Sequence, residues 1–261
     1  MVIRRIREHV TAHNWFAVAI DLAIVVLGVL IATQVANWND NRLEAAKARS
    51  YHSRLLDELD FNARQFRAQI DYYHEVRGHG LAARAMIDGE QAREGAGTPR
   101  EFLIHAYQLS QIDVNAAKSY IYDEMTAAGL VDLLGDETTQ AMASDYYLTL
   151  ATNDRTLKDI FPYRSTIRSV MPFTIQKIIR SRCGDSNLVH RGRIVGILLP
   201  RDCPVAIPPA DAAAAMRSVL ATPGLRQEMT RYVASIDEKI DVLTLDLDLT
   251  GQFRERLTRS R

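Results

Sequence analysis

The chain is short of most things that would name a chemistry. Lys plus Arg and Asp plus Glu stand at 32 each, so no strong net field directs it to nucleic acid or to a highly charged substrate. Glycine is sparse at 13 residues, and Gly95-Ala96-Gly97 lacks the strand, helix and third glycine of a phosphate loop, which leaves a flexible turn. No serine or cysteine sits in a nucleophile elbow. Paired acids such as Asp246 and Asp248 are two apart and point away from each other on a helix. The run from His74-Glu75 to Gly78-His79 resembles a zincin helix at first sight, but its histidines are five apart rather than four. On a helix that spacing turns the second about 140° from the first. His52, His105 and His190 are isolated and read as surface or stalk residues. These gaps predict no catalytic residue, no metal site and no cofactor.

Cysteine is scarcer still, with two in 261 residues. Cys183 and Cys203 suit one disulfide in an oxidising compartment, against the alternative of two buried thiols in a reducing one. Closing a loop of that size contributes about 3 kcal/mol in the chain-entropy picture. Val and Ile are sparse beyond the N-terminal region, whereas Ala, Leu, Arg, Glu and Gln are frequent, which favours helices over strands.

What the chain does have is one long apolar run. Trp15 through Ala36 is interrupted only by Asp21, Thr33 and Gln34, and as a helix it spans roughly 33 Å, enough for a hydrocarbon core of about 30 Å. Trp15 and Trp38 stand where indole rings favour the headgroup layer. A cleavable signal peptide is the competing reading. It fits poorly, because the run exceeds the usual signal core of about 7 to 15 residues and no small-x-small cleavage site precedes Trp38.

Lysine and arginine tie at the two ends, with Arg4, Arg5 and Arg7 before and Arg42, Lys47 and Arg49 after, so the positive-inside rule does not orient the helix. The cysteine pair decides for a cytoplasmic N-terminus and a periplasmic C-terminal domain. The expected organisation is a basic cytoplasmic tail at 1–14, a transmembrane helix at 15–38 and an α-helical domain at 39–261 with an irregular insert at 183–209.

Asp21, Gly28, Ala32 and Ala36 share one face of the membrane helix. Small residues four apart let helix backbones approach closely, and a polar group on that stripe can bond across the contact. The reading is a helix that self-associates or binds a membrane partner. A monomeric anchor whose Asp21 reaches the headgroups is the alternative.

Beyond Trp38 the helical pattern continues through Leu55, Leu59, Asn62, Phe66 and Tyr73 to a stop near Asp88-Gly89, predicting a long stalk. Thr98-Pro99-Arg100-Glu101 reads as a capping box opening a helix to about Ser110. Another helix is expected over 116–128, closed by Gly129. Asp136 should cap a long helix, with division at Pro162 and Pro172. Residues 193–199 read as a short strand or a tucked apolar loop. The last helix starts near Thr222-Pro223, carries Val233, Ile236, Ile240, Leu243, Leu247 and Leu257, and is expected to pack antiparallel on the stalk. Its Arg254, Arg256, Arg259 and Arg261 tail would return toward anionic headgroups, or else fray into solvent. Tyr107, Tyr120, Tyr146 and Tyr147 could line a ligand pocket between helices, although such tyrosines are commonly core residues.

The run Ile20-Asp21-Leu22 through Ala36-Asn37-Trp38-Asn39, with Arg54-Leu55-Leu56-Asp57-Glu58-Leu59-Asp60, resembles a family of uncharacterised bacterial single-span membrane proteins. Ser119-Tyr120, Glu124-Met125, Gly129, Leu133-Leu134 and the Tyr146-Tyr147 pair extend the resemblance over roughly the first 150 residues. It implies a membrane helix followed by a helical domain, and it implies no activity. The sequence thus reads as a single-pass inner-membrane protein of all-α class. Its expected role is a non-catalytic interaction or scaffold module with the bilayer, a second copy or another membrane protein as partner. A sensor-like domain holding a small ligand is the runner-up.

Overall fold

A computed structural model describes residues 15–89 and 97–259, so the basic tail at 1–14, Gly95 and Arg261 lie outside the described residues. The chain divides into two compact units, residues 1–53 and 54–261. Helix α1 (Trp15–Asp88) supplies all of the described part of the first unit and opens the second.

In the first unit the helix is bare. Every large apolar side chain described from Trp15 to Trp38 is 38–76% exposed. This stretch is long and apolar enough to cross a membrane, and none of the residues in its apolar window is buried in the protein.

Among the described residues the second unit is all-α apart from one hairpin. After α1 come α2 (Pro99–Leu109), α3 (Tyr120–Ala127), a 3₁₀ turn (Val131–Leu134), α4 (Glu137–Lys158), α5 (Pro162–Val170) and α6 (Phe173–Cys183). Strands β1 (Ser186–His190) and β2 (Arg193–Leu198) follow, then α7 (Pro209–Leu220) and α8 (Leu225–Arg259). The expected caps form. Thr98 and Glu101 make a reciprocal capping box, and Asp136 accepts the Thr139 amide. Pro162 opens α5 and Pro172 caps α6, so each proline divides the segment where its missing amide would have been needed.

Two long helices carry buried rows at alternating steps of four and three residues. On α1 the buried row is Leu55, Leu59, Asn62, Phe66, Gln69, Tyr73 and Val76, and on α8 it is Tyr232, Ile236, Lys239, Leu243, Asp246, Thr250, Phe253 and Leu257. That is coiled-coil spacing, which keeps one seam facing its partner. The direction of packing is read from ion pairs. Asp88 pairs with Arg226 at 3.1 Å, Arg77 with Asp237, and Asp60 with Arg254 at 2.7 Å. Steps of eleven and then seventeen residues back along α1 match the same steps forward along α8, so the two run antiparallel. Exposed pairs of this kind contribute about 0–1 kcal/mol each, so they report register more than they stabilise.

Helix α4 is likewise antiparallel to α8, since Tyr146 meets Thr250 and Leu157 meets Lys239. The arginines at the end of α8 are engaged within the domain, Arg254 with Asp60, Arg256 with Asp136 and Arg259 with Glu255. The described helix extends to Arg259.

One expectation is corrected and one helix added. The helix expected over 116–128 starts only at Tyr120, because side chains of α1 claim the backbone of the preceding segment, as set out below. Helix α7 was not foreseen, since its run of alanines gives little contrast between faces. Of residues 193–199, Arg193–Leu198 form strand β2, antiparallel to β1, with a bulge at Leu188/Val189. The Cys183–Cys203 disulfide is formed and encloses the hairpin.

Candidate functional site

The densest buried chemistry lies where polar side chains of α1 meet the segment joining α2 to α3. Asn62 accepts the Lys118 amide at 2.8 Å and donates to the Lys118 carbonyl at 2.9 Å. Gln65 and Gln69 both donate to the Asn115 carbonyl at 3.0 Å. Tyr73 donates to the Asp113 carbonyl at 2.8 Å, and Glu58 accepts the Ile121 amide at 2.9 Å. Positions 58, 62, 65, 69 and 73 form one stripe on α1. They supply the hydrogen bonds that a helix would otherwise have made for residues 113–121. The segment is therefore extended and half-buried, and the periodicity that suggested a helix from Ala116 is overridden.

A polar layer crosses the three long helices at the same level. Tyr146 on α4 hydrogen-bonds Thr250 on α8 at 3.0 Å and receives the Asn62 amide at 3.4 Å. Tyr147 donates to Glu58 at 2.7 Å and stacks on Tyr122 at 4.3 Å between centroids. Burial pushes the Tyr146 phenol up to about 12 and the Tyr147 phenol higher, so both stay neutral donors. Burial also raises the Glu58 carboxyl, against the lowering effect of the Ile121 amide and Tyr147.

A second cluster packs against the disulfide. Arg168 lies 4.8 Å over the Tyr107 ring and donates to Ser110 Oγ at 3.1 Å and Gln111 Oε1 at 2.9 Å. Gln108 donates to the Cys183 carbonyl at 2.7 Å, and Tyr72 donates to Asp185 at 3.3 Å. Burial lowers the Arg168 pKa and raises that of Asp185. These groups spend their hydrogen bonds on one another and on backbone, an arrangement that holds the helices in register.

The four tyrosines named from sequence do not gather into one pocket. Tyr146 and Tyr147 are in edge contact at 4.8 Å, Tyr107 belongs to the Arg168 cluster, and Tyr120 is 71% exposed. Of the membrane-helix set, Asp21, Gly28, Ala32 and Ala36 are exposed, and a Cβ at Gly28 would meet nothing within 4 Å.

One histidine departs from expectation. His105, expected to be an isolated surface or stalk residue, has its Nδ1 2.8 Å from that of His79, because α2 packs onto the face of α1 that carries His79. His52 lies on α1, the expected stalk, and is buried there. His74 does face away from His79, as a spacing of five requires. A balanced total also conceals how charge is distributed: Arg64 of α1 and Arg191 and Arg193 of the hairpin line one cavity.

Among known proteins, no family, no curated sequence and no solved structure matches this chain.

Proposed function

We propose that the chain is a single-pass bacterial inner-membrane protein whose N-terminus is cytoplasmic and whose helical domain works in the periplasm as a non-catalytic interaction or scaffold module. The observation that carries this reading is the Trp15–Trp38 stretch of α1, where every large described apolar side chain is left bare. In water such a surface would drive aggregation, and in hydrocarbon it is at its lowest free energy. The disulfide supports placing the domain in an oxidising compartment. Asp21, Gly28, Ala32 and Ala36 form the face on which the helix meets a second copy or another membrane helix.

The test is labelling of Cys183 and Cys203 in spheroplasts with a membrane-impermeant thiol reagent. Labelling that requires a reductant added outside, and no membrane rupture, is the expected result. Labelling that requires rupture but no reductant reverses the orientation. For the helix face, Gly28→Leu should weaken self-association in a genetic transmembrane-dimerisation reporter, and an unchanged signal removes that face from the reading.

A further inference from the structure

Two cavities flank α1 and share Asp60 and Arg64 in their walls. One, of about 270 Å³, lies between α1 and the hairpin; the other, of about 380 Å³, lies between α1 and α8. Their walls are rich in cations without counterions. Arg64, Arg67, Arg191 and Arg193 make no ion pair among the described residues. Of the three wall carboxylates, Asp60 is paired with Arg254 and Glu255 with Arg259, which leaves Asp57. Four uncompensated guanidinium groups thus face one carboxylate. Lys118 adds to the crowding, its ammonium 3.4 Å over the Phe61 ring and its pKa lowered, by burial first and then by the charge of Arg193.

The hairpin that carries half of these groups is held firmly. The disulfide closes its base. Gly196 is pressed onto α1 so closely that a Cβ there would lie 2.6 Å from Ala68 Cβ. Arg201 pairs with Glu75 at 2.6 Å. At the tip, Arg191 adopts φ 48°, the one positive φ among described non-glycine residues. Arginine has no side-chain advantage in that conformation, unlike Asn or Gly, so the turn itself gives no reason for it. His190, next to it and lining the hairpin cavity, has its Nε2 buried without a protein partner. A buried polar atom left unpaired is costly, and an incoming oxygen ligand would satisfy it.

We propose that this pair of cavities is a binding site for a small phosphate- or carboxylate-bearing anion with at least two charged groups. Arg64 sits at its centre, with Arg191, Arg193 and His190 on one side and Arg67 on the other. Guanidinium forks match both anions in bidentate geometry, and with Arg64 in the wall of both cavities one charged group can sit on either side of it. The site is assigned from charge and shape within residues 57–258 and does not depend on the orientation proposed above.

The experiment is calorimetric titration of the full chain, in nanodiscs of phosphatidylcholine at low salt, with pyrophosphate and with citrate. Saturable binding of at least one probe is expected. It should weaken at least tenfold in Arg64→Gln and in Arg191→Gly, and stay within twofold in Arg217→Gln on α7. Glycine accepts the turn conformation freely, so a loss in Arg191→Gly reports the missing guanidinium and not a broken hairpin. Repeating the titration in phosphatidylglycerol discs separates the sources of the anion. Unchanged affinity assigns the site to a soluble ligand, and loss of probe binding there assigns the same chemistry to a lipid headgroup. Absence of saturable binding by either probe, or equal affinity in Arg64→Gln and Arg191→Gly, overturns the proposal.

Discussion

His79 Nδ1 lies 2.8 Å from His105 Nδ1, so one ring must carry a hydrogen on that atom and the other must not. The contact joins α1 to α2 and exists only while the pair shares a single proton between those nitrogens. Burial, and then the neighbouring His105, lower the His79 pKa to about 4; burial lowers His105, opposed by Glu101.

The sign of the resulting pH dependence follows. An unfolded histidine titrates near pH 6.5, and the folded pair resists protonation, so its stabilising contribution is complete above about pH 6.5 and is lost as pH falls toward about 4. Urea midpoints measured from pH 7 to pH 4.5 should fall in wild type and fall less in His105→Gln. Parallel losses in the two proteins would show that the pair is not the acid-labile contact.

Asp246 behaves in the opposite sense. It is 1% exposed, with Asn153 donating to its Oδ1 at 2.6 Å, and burial raises its pKa to about 6. A carboxyl raised in the folded state favours folding fully below its unfolded pKa of about 3.9, and that advantage is gone once pH passes about 6. Asp246→Asn keeps an oxygen for Asn153 and removes the buried charge. It should stabilise the domain by on the order of 2 kcal/mol at pH 7.5 and by little at pH 4. An equal effect at both values would point to packing instead of charge.

The contact between the hairpin and α1 sets a steric test. A methyl at Gly196 would overlap Ala68, whose Cβ is fixed on the helix and cannot swing aside. Gly196→Ala should destabilise by about 1–3 kcal/mol. Ala68→Gly alone should cost about 1 kcal/mol through helix propensity. Combined, they should cost less than the sum, because the second change opens the space that the first fills. Additive losses in thermal melts would mean the hairpin moves away without resistance.

How far the sequence could be read follows from the range of each interaction. Local rules found the caps at Thr98 and Asp136, the breaks at Pro162 and Pro172 and the closing Gly129, because those residues act on their own backbone within one turn. The seams of α1 and α8 were partly legible. Leu55, Leu59, Val233 and Ile236 mark them, but Lys239, Asp246 and Thr250 occupy buried positions that a hydrophobic pattern assigns to solvent. The extended segment before α3 was not legible, since its hydrogen bonds come from side chains about 40 to 60 residues earlier. The anion-binding face was hidden for a related reason. Arg64 and Arg191 are far apart in sequence, and only the docked hairpin brings them to one cavity.

Asn62 is where those levels meet, and it gives the most local test of the fold. Its side chain bonds both the amide and the carbonyl of Lys118 and also reaches Tyr146. Asn62→Ala removes both backbone partners, and because Lys118 is only half-buried, water replaces part of what is lost. The expected cost is about 1–2 kcal/mol. The sharper readout is amide exchange. Protection of the Lys118 amide should collapse in Asn62→Ala while that of Ile121, held by Glu58, persists. If Lys118 stays protected, something other than the α1 stripe keeps this segment out of a helix; if Ile121 is lost as well, the stripe acts as one cooperative unit and not as independent clasps.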